Sequence, residues 1–260
     1  MRVDFYKYQG AGNDFILIDN RKDVFPKDNE LLIRYYCHRQ FGIGADGFML
    51  LEDSDIADFK MVYYNSDGKP GSMCGNGGRC MVAFAYSLGL FDKETTFEAM
   101  KRLYRGVIEE KRTVSLGMSD VNHIDIHKTH VFLDTGSPHH VVFTDKVSSV
   151  NVVEEGRRIR HGEPYKEAGT NVNFVEQVDA DTFKVRTYER GVENETLSCG
   201  TGVTAVALAC YHLKKTREKR VRIKTLGGNL EVTFEENNGR FTKIVLTGPA
   251  TFVFKGEIEY

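Results

Sequence analysis

Two cysteines stand in matching surroundings. Ser72-Met73-Cys74-Gly75-Asn76-Gly77-Gly78-Arg79 and Leu197-Ser198-Cys199-Gly200-Thr201-Gly202 each place a cysteine directly before Gly-x-Gly. Each runs on into a small, apolar, helix-forming segment, Cys80 to Tyr86 and Val203 to Ala209. A glycine-rich turn that opens a helix aims free backbone N–H groups at whatever precedes it, and the helix dipole favours negative charge there. A cysteine at that position is expected to have a lowered pKa and a substantial thiolate fraction. Two of them suggest a duplicated fold whose thiols face one ligand. As an acid–base pair they would invert a carbon: a thiolate takes a proton from one face and a thiol returns one to the other. Such chemistry needs surroundings that split the two pKa values. It also needs donors for a carboxylate whose charge grows as the carbon is deprotonated. The N–H groups of Gly75, Asn76, Gly200 and Thr201 are candidates. The scheme requires no metal or organic cofactor. The same two cysteines could instead form a redox disulfide, and Gly75-Asn76-Gly77-Gly78 alone could cradle a phosphate, although no P-loop Lys-Ser/Thr follows.

The other reactive side chains have plainer readings. Cys37, Cys80 and Cys210 lie in apolar segments and read as small buried hydrophobes. His139, after Pro138, reads as part of a turn. His123, His127, His130 and His161 lie in polar stretches and read as solvated, and no Cys/His spacing suggests zinc. Glu189 and Arg190 immediately precede the second cysteine turn, where a surface pair and a substrate clamp are equally good readings.

These residues need elements to hold them. In the first half, strands are expected at Val3–Tyr8, Phe15–Ile18, Phe48–Leu51, Phe59–Tyr64, Thr95–Glu98, Leu103–Glu109 and Thr113–Met118. A helix capped by Asp28 runs through Leu31 and Tyr36, and the first cysteine helix ends near Gly89. The pattern loosens between Gly117 and Asp125 and then begins again. Strands are expected at His130–Leu133, Val141–Phe143, Thr182–Tyr188, Val221–Thr225, Leu230–Phe234, Lys243–Thr247 and Thr251–Phe254, with a helix between Val150 and Arg160. Both cysteine helices are nearly free of charge, so each should be buried inside curved, mostly antiparallel strands. The expected fold is α+β with two pseudo-symmetric lobes, residues 1–118 and 119–249. Composition agrees with an ordinary soluble enzyme: 41% hydrophobic, 28% charged and a net charge of −2, which gives no field that would draw nucleic acid or an acidic membrane. Met1–Phe5 lacks a signal peptide's apolar core, and five thinly spread cysteines argue against a disulfide framework. A cytoplasmic location is therefore expected.

In these motifs the chain resembles diaminopimelate epimerases. The resemblance is carried by Gly10-Ala11-Gly12-Asn13-Asp14-Phe15, Gly42 to Gly47, Asn65-Ser66-Asp67-Gly68, Met73 to Cys80, Gly136-Ser137-Pro138-His139, Tyr188 to Gly191 and Ser198 to Gly202, in order from end to end. It implies a cofactor-independent isomerase that interconverts LL- and meso-2,6-diaminopimelate in lysine and cell-wall biosynthesis. It also implies two lobes, each a barrel-like sheet around a helix, in a homodimer, with residues 250–260 returning to the first lobe. The implied acid and base are Cys74 and Cys199, supported by His139 and Glu189. Gly75, Asn76, Gly200 and Thr201 would hold the reacting carboxylate. Asn13, Asn65, Asn171, Glu189 and Arg190 would complete the substrate site. The chain departs from the family pattern in three places: Gly47 stands for a common Gln, Ser137 for a common Asn, and the turn between Arg190 and Cys199 is one residue longer. These bear on substrate selectivity, so a related racemase acting on another amino acid is the second expectation. A non-catalytic acid binder or thiol redox sensor is the third.

Overall fold

The computed structural model describes residues 2–71, 73–110 and 113–260; Ser72, at the head of the first cysteine stretch, lies outside them. In chain order the elements are β1 (Arg2–Gly10), β2 (Asn13–Asp19), α1 (Glu30–Cys37), β3 (Gly47–Glu52), β4 (Phe59–Asn65), α2 (Gly75–Ser87), β5 (Glu94–Ala99), β6 (Arg102–Ile108) and β7 (Thr113–Gly117). There follow β8 (Asp125–Ile126), β9 (Val131–Asp134), β10 (Pro138–Phe143), α3 (Val152–His161), β11 (Asn171–Gln177), β12 (Thr182–Glu189), β13 (Asn194–Thr196) and α4 (Gly200–His212). The chain closes with β14 (Arg220–Thr225), β15 (Gly228–Asn237), β16 (Arg240–Pro249) and β17 (Thr251–Glu259). No helix among the described residues is long and apolar enough to cross a membrane.

The chain folds as two compact units, Met1–Leu116 with Gly248–Tyr260, and Gly117–Thr247. In the first unit the strands pair in the order β17-β1-β2-β3-β4-β5-β6-β7. The pairs β2–β3 and β4–β5 are parallel and the others antiparallel. In the second unit the order is β8-β9-β10-β11-β12-β14-β15-β16, with β10–β11 and β12–β14 parallel. The two series match pair for pair. Each parallel pair is joined through a helix, as a parallel connection requires: α1 and α2 in the first unit, α3 and α4 in the second. The likeness of the two cysteine turns is thus one part of a repeat that runs through the whole topology. In the first unit the strand equivalent to β8 is β17, supplied from the end of the chain.

The cysteine helices are buried as their composition demands. From Gly75 to Val82 every residue of α2 is buried, and α4 is buried from Gly202 to Cys210. Strands β1, β2, β3, β6 and β17 pack on α2, and strands β9 to β12, β14 and β15 pack on α4. The outer helices are different. α1 turns only Ile33, Tyr36 and Cys37 inward, while Leu31 and Tyr35 are exposed. Its N-cap is Asn29, whose side chain accepts the Leu32 N–H, and not Asp28. Both residues can cap, and burial of the Ile33–Tyr36–Cys37 face selects the register.

Two further expectations change, and two short strands are added. His139 lies on a strand, because β10 already begins at Pro138, a first-residue position proline tolerates. His130 is stacked between the rings of His127 and His140, at 4.3 and 3.9 Å. Strands β8 and β13, of 2 and 3 residues, are too short to leave a periodic signal in the sequence.

Candidate active site

In the first unit Cys74 is the N-cap of α2, and its Sγ accepts the Gly77 N–H at 3.4 Å. Asn13, the first residue of β2, meets it. The Asn13 Nδ2 donates to Asp46 Oδ2 at 2.7 Å, which turns Oδ1 toward the helix. That Oδ1 accepts from the Cys74 thiol at 3.6 Å and from Asn76 Nδ2 at 3.4 Å. The Asp46 carboxylate is itself held by Arg39, which bridges it to Asp14 at 2.7 and 2.8 Å. Buried Lys7 completes the group with an ion pair to Asp14 at 2.8 Å and a hydrogen bond to the Gly44 carbonyl. Burial acts to raise the Asp14 pKa, but hydrogen bonds from Arg39 and Lys7 outweigh it and hold the carboxyl down to about 2. On the other side of Asn76, Oδ1 accepts from Arg79 Nη2 at 2.9 Å, and Arg79 is fully buried. Asn65 lies at the exposed end of β4, where its carbonyl closes the Asn65–Gly68 turn.

In the second unit Cys199 is the N-cap of α4, and its Sγ lies 3.5 Å from the Thr201 hydroxyl. Thr201 Oγ1 is 2.9 Å from His139 Nε2. Behind His139 sits Asn173, which the sequence reading did not single out. Asn173 Nδ2 faces the His140 carbonyl, an acceptor only, and also His139 Nδ1 at 3.1 Å. Thr187 donates to its Oδ1 at 3.0 Å. His139 Nδ1 must therefore be the acceptor, and the ring proton sits on Nε2, aimed at Thr201. The Thr201 hydroxyl, accepting that N–H, can give its own proton to Cys199 Sγ. Burial, with the charge of Arg190 adding to it, holds His139 down to about 3, so the ring is neutral. Asn173 could have been found from pattern alone: Asn171 and Asn173 alternate with Val172 and Phe174 on a strand buried from Asn171 to Val175. A buried amide in such a strand must find partners.

Asn171 fixes the loop that carries the acidic and basic pair. Its Nδ2 donates to the Pro138 carbonyl at 3.1 Å and its Oδ1 accepts the Arg190 N–H at 2.9 Å. Arg190 Nη1 reaches the Ala168 carbonyl at 2.8 Å, and Glu189 Oε2 accepts from Thr196 Oγ1 at 3.0 Å. Glu189 and Arg190 therefore each have a partner other than the neighbour beside it. The longer stretch before Cys199 is folded back as the β12–β13 hairpin, pinned by Arg186 on Glu195 at 2.6 Å and Arg160 on Glu193 at 2.9 Å. Cys37, Cys80 and Cys210 are buried, and burial raises all three thiols, Cys37 to about 12. They are inert packing residues.

The diaminopimelate epimerase family model matches residues 5–115 and 131–253. A diaminopimelate epimerase of Flavobacterium psychrophilum is 54% identical over 98% of this chain and 100% of its own length. The chain belongs to the diaminopimelate epimerase family. A second member, from Chlorobaculum tepidum, is 44% identical over 96% of this chain and 98% of its own. Among solved structures, a Bacillus anthracis phenazine biosynthesis protein of the PhzF family superposes with a TM-score of 0.80 at 12% identity, each chain covered completely. A probable proline racemase from Agrobacterium radiobacter does so with 0.71 at 17%, over 99% of this chain and 93% of that one. At such identities these two show a shared fold. Against the diaminopimelate epimerase pattern, the missing side chain at Gly47 has a local cause. A Cβ there would lie 2.5 Å from the Tyr63 ring and 2.8 Å from its hydroxyl. The Tyr63 ring occupies the space, and Gly71 leaves room for it on its other side.

Proposed function

We propose that this chain is an isomerase that interconverts LL- and meso-2,6-diaminopimelate, with Cys74 and Cys199 acting on opposite faces of one α-carbon. The observation that carries the reading is the pair of cysteine N-caps, on α2 and α4, in two units of matching topology. Family membership and the 54% identical relative support the substrate. One thiolate takes the α-proton. The electron pair left on carbon is delocalised into the α-carboxylate, held by N–H groups at Gly75, Asn76, Gly200 and Thr201. The other thiol delivers its proton to the opposite face. Overall, the carbon is inverted and the two cysteines have exchanged protonation states.

The two thiols meet different partners, which supports a division of roles. Cys74 can give its S–H to the Asn13 acceptor, and the Gly77 N–H meets the sulfur when it is a thiolate. Cys199 faces a hydroxyl that accepts from neutral His139 and can give its own proton to the sulfur, which favours the thiolate. In this reading His139 acts through Thr201. Asn171 positions Arg190 and Glu189, which with Asn13 and Asn65 hold the remainder of the substrate. Thiol chemistry of this kind belongs in a reducing compartment, so we assign the enzyme to the cytoplasm. A homodimer is supported by β17, which pairs with β1 and carries half-exposed Phe252 and Phe254. Sedimentation should give twice the chain mass.

A second reading, a racemase of another amino acid, is favoured by the Tyr63 ring at the site of Gly47. Proton NMR of LL-diaminopimelate in D2O with the reduced protein separates the two, with proline and glutamate run in parallel. Loss of the α-proton signal with formation of the meso isomer supports the proposal. Exchange of proline or glutamate alone would transfer the reaction to the second reading. No exchange in protein with titratable free thiols would refute both and leave a binding or redox role.

A further inference from the structure

Arg79 is the largest fully buried side chain of the described residues, and its hydrogen-bond acceptors are uncharged oxygens. It lies one turn into α2, and its guanidinium leans back over the first turn, as helical side chains do. Nη2 donates to Asn76 Oδ1 at 2.9 Å, Nη1 to the Gly75 carbonyl at 3.4 Å and Nε to the Pro249 carbonyl at 3.5 Å. No described carboxylate forms an ion pair with it. A guanidinium taken out of water without an anionic partner is costly, and an apolar side chain would fill the same space at less cost. Burial pulls its pKa down to about 10, and the thiols of Cys80 and Cys74 are the groups that act to restore it. Cys80 is buried and its thiol is raised, so it stays neutral. Cys74 is the group nearby that the reaction charges.

The remaining surroundings do not supply that charge. From β1, β2 and the segment before β3 come Lys7, Asp14, Arg39 and Asp46, two cations and two carboxylates bonded among themselves. The β6 contact with α2 is Gly106 on Val82, which is apolar. From the Pro249 end of the chain comes a backbone carbonyl.

We propose that Arg79 is the fixed countercharge of the first cysteine turn: it balances the negative charge that the Cys74 thiolate and a substrate carboxylate bring to the N-terminus of α2, and it orients Asn76 toward Asn13. Arg79 is a positioning residue, acting through Asn76 and through its field. The inference rests on the reading of Cys74 as a proton carrier, but its test does not depend on turnover.

The test is the pH profile of iodoacetamide alkylation at Cys74, followed by mass spectrometry of the peptide that contains it. Arg79→Gln keeps a donor and removes the charge. Its alkylation midpoint should rise by about one pH unit, a roughly tenfold slower reaction at neutral pH, while Arg79→Lys stays close to the native midpoint. A folded Arg79→Gln with an unchanged midpoint, or an equal rise in both variants, overturns the proposal. Should Arg79→Gln not fold, the native chain decides the matter with two reagents. The rate ratio of anionic iodoacetate to neutral iodoacetamide at Cys74 should exceed that of free cysteine by threefold or more. A ratio at or below that of free cysteine overturns the proposal. A midpoint that depends on Arg79 in a protein without epimerase activity would leave this inference standing and remove the proposed function.

Discussion

The second cysteine is linked to its histidine by one hydroxyl. Thr201 Oγ1 lies 2.9 Å from His139 Nε2 and 3.5 Å from Cys199 Sγ. Thr201→Val keeps the backbone N–H and the shape of the side chain but cuts this link. Turnover should fall about 10²-fold, the low end for acid–base groups, with KM little changed. An unchanged kcat would show that His139 does not reach the thiol this way. Gly47 makes a different kind of case. Gly47→Gln would drive a side chain into the Tyr63 ring, and the overpacking should cost about 1–3 kcal/mol. Tyr63→Ser should recover most of that loss in the double variant. A urea-denaturation cycle with strictly additive effects would show that the two positions do not share the space.

The cysteine helices are elements that tolerate almost nothing on their inner turns. At Gly202 a Cβ would run into Asn173 Oδ1, the atom Thr187 holds in place. Gly202→Ala should therefore displace Asn173, release the His139 tautomer and lower kcat, while far-UV circular dichroism remains native. Full activity in that variant would mean that Asn173 has room to move. Composition made these helices legible: Val203 to Cys210 carries no charge, so it had to be buried. Their caps were legible from Cys-Gly-x-Gly. The partners of Asn173 and Arg79 were not, because alternation with Val172 and Phe174 marks Asn173 without naming what it meets, and a lone arginine in a helix carries no periodic mark. Their roles follow from which groups the fold brings within hydrogen-bond reach. The Asn29 cap was hidden for a related reason, since Asp28 and Asn29 are adjacent and both residue types can cap a helix.

For the whole molecule, buried neutral histidines set the response to acid. Burial holds His139 and His140 down to about 3, with Arg190 adding to the first and the neighbouring His130, His127 and Arg158 to the second. The unfolded chain takes up these protons near pH 6.5, whereas the folded chain does not until about 3. Their contribution to stability is therefore complete above pH 6.5 and is lost as pH falls through that window. Each histidine gives up to about 1.4 kcal/mol per pH unit, so the pair gives on the order of 2–3. Urea midpoints measured at pH 7, 6 and 5 should decline steadily. Asp14, held down to about 2, adds nothing to this decline, because its own loss begins below its unfolded value of 3.8. A midpoint flat from pH 7 to 5 would mean that both imidazoles take up protons in the folded chain much as they do in the unfolded one.

The amino-acid sequence by itself determined the local features: two cysteine caps, two helices nearly free of charge, the alternating strands around them and the family they belong to. Each depends on residues close together in the chain, where spacing and polarity act directly. Tertiary structure decided what depends on distant segments. β17 completes the first strand series from the far end of the chain, Tyr63 fills the place of a side chain at Gly47, and Asn173 sets the proton on His139 from 34 residues away. The guanidinium of Arg79 meets a carbonyl 170 residues distant. Such choices are made by packing, which excludes water and leaves each buried polar atom only the partners that the fold brings to it.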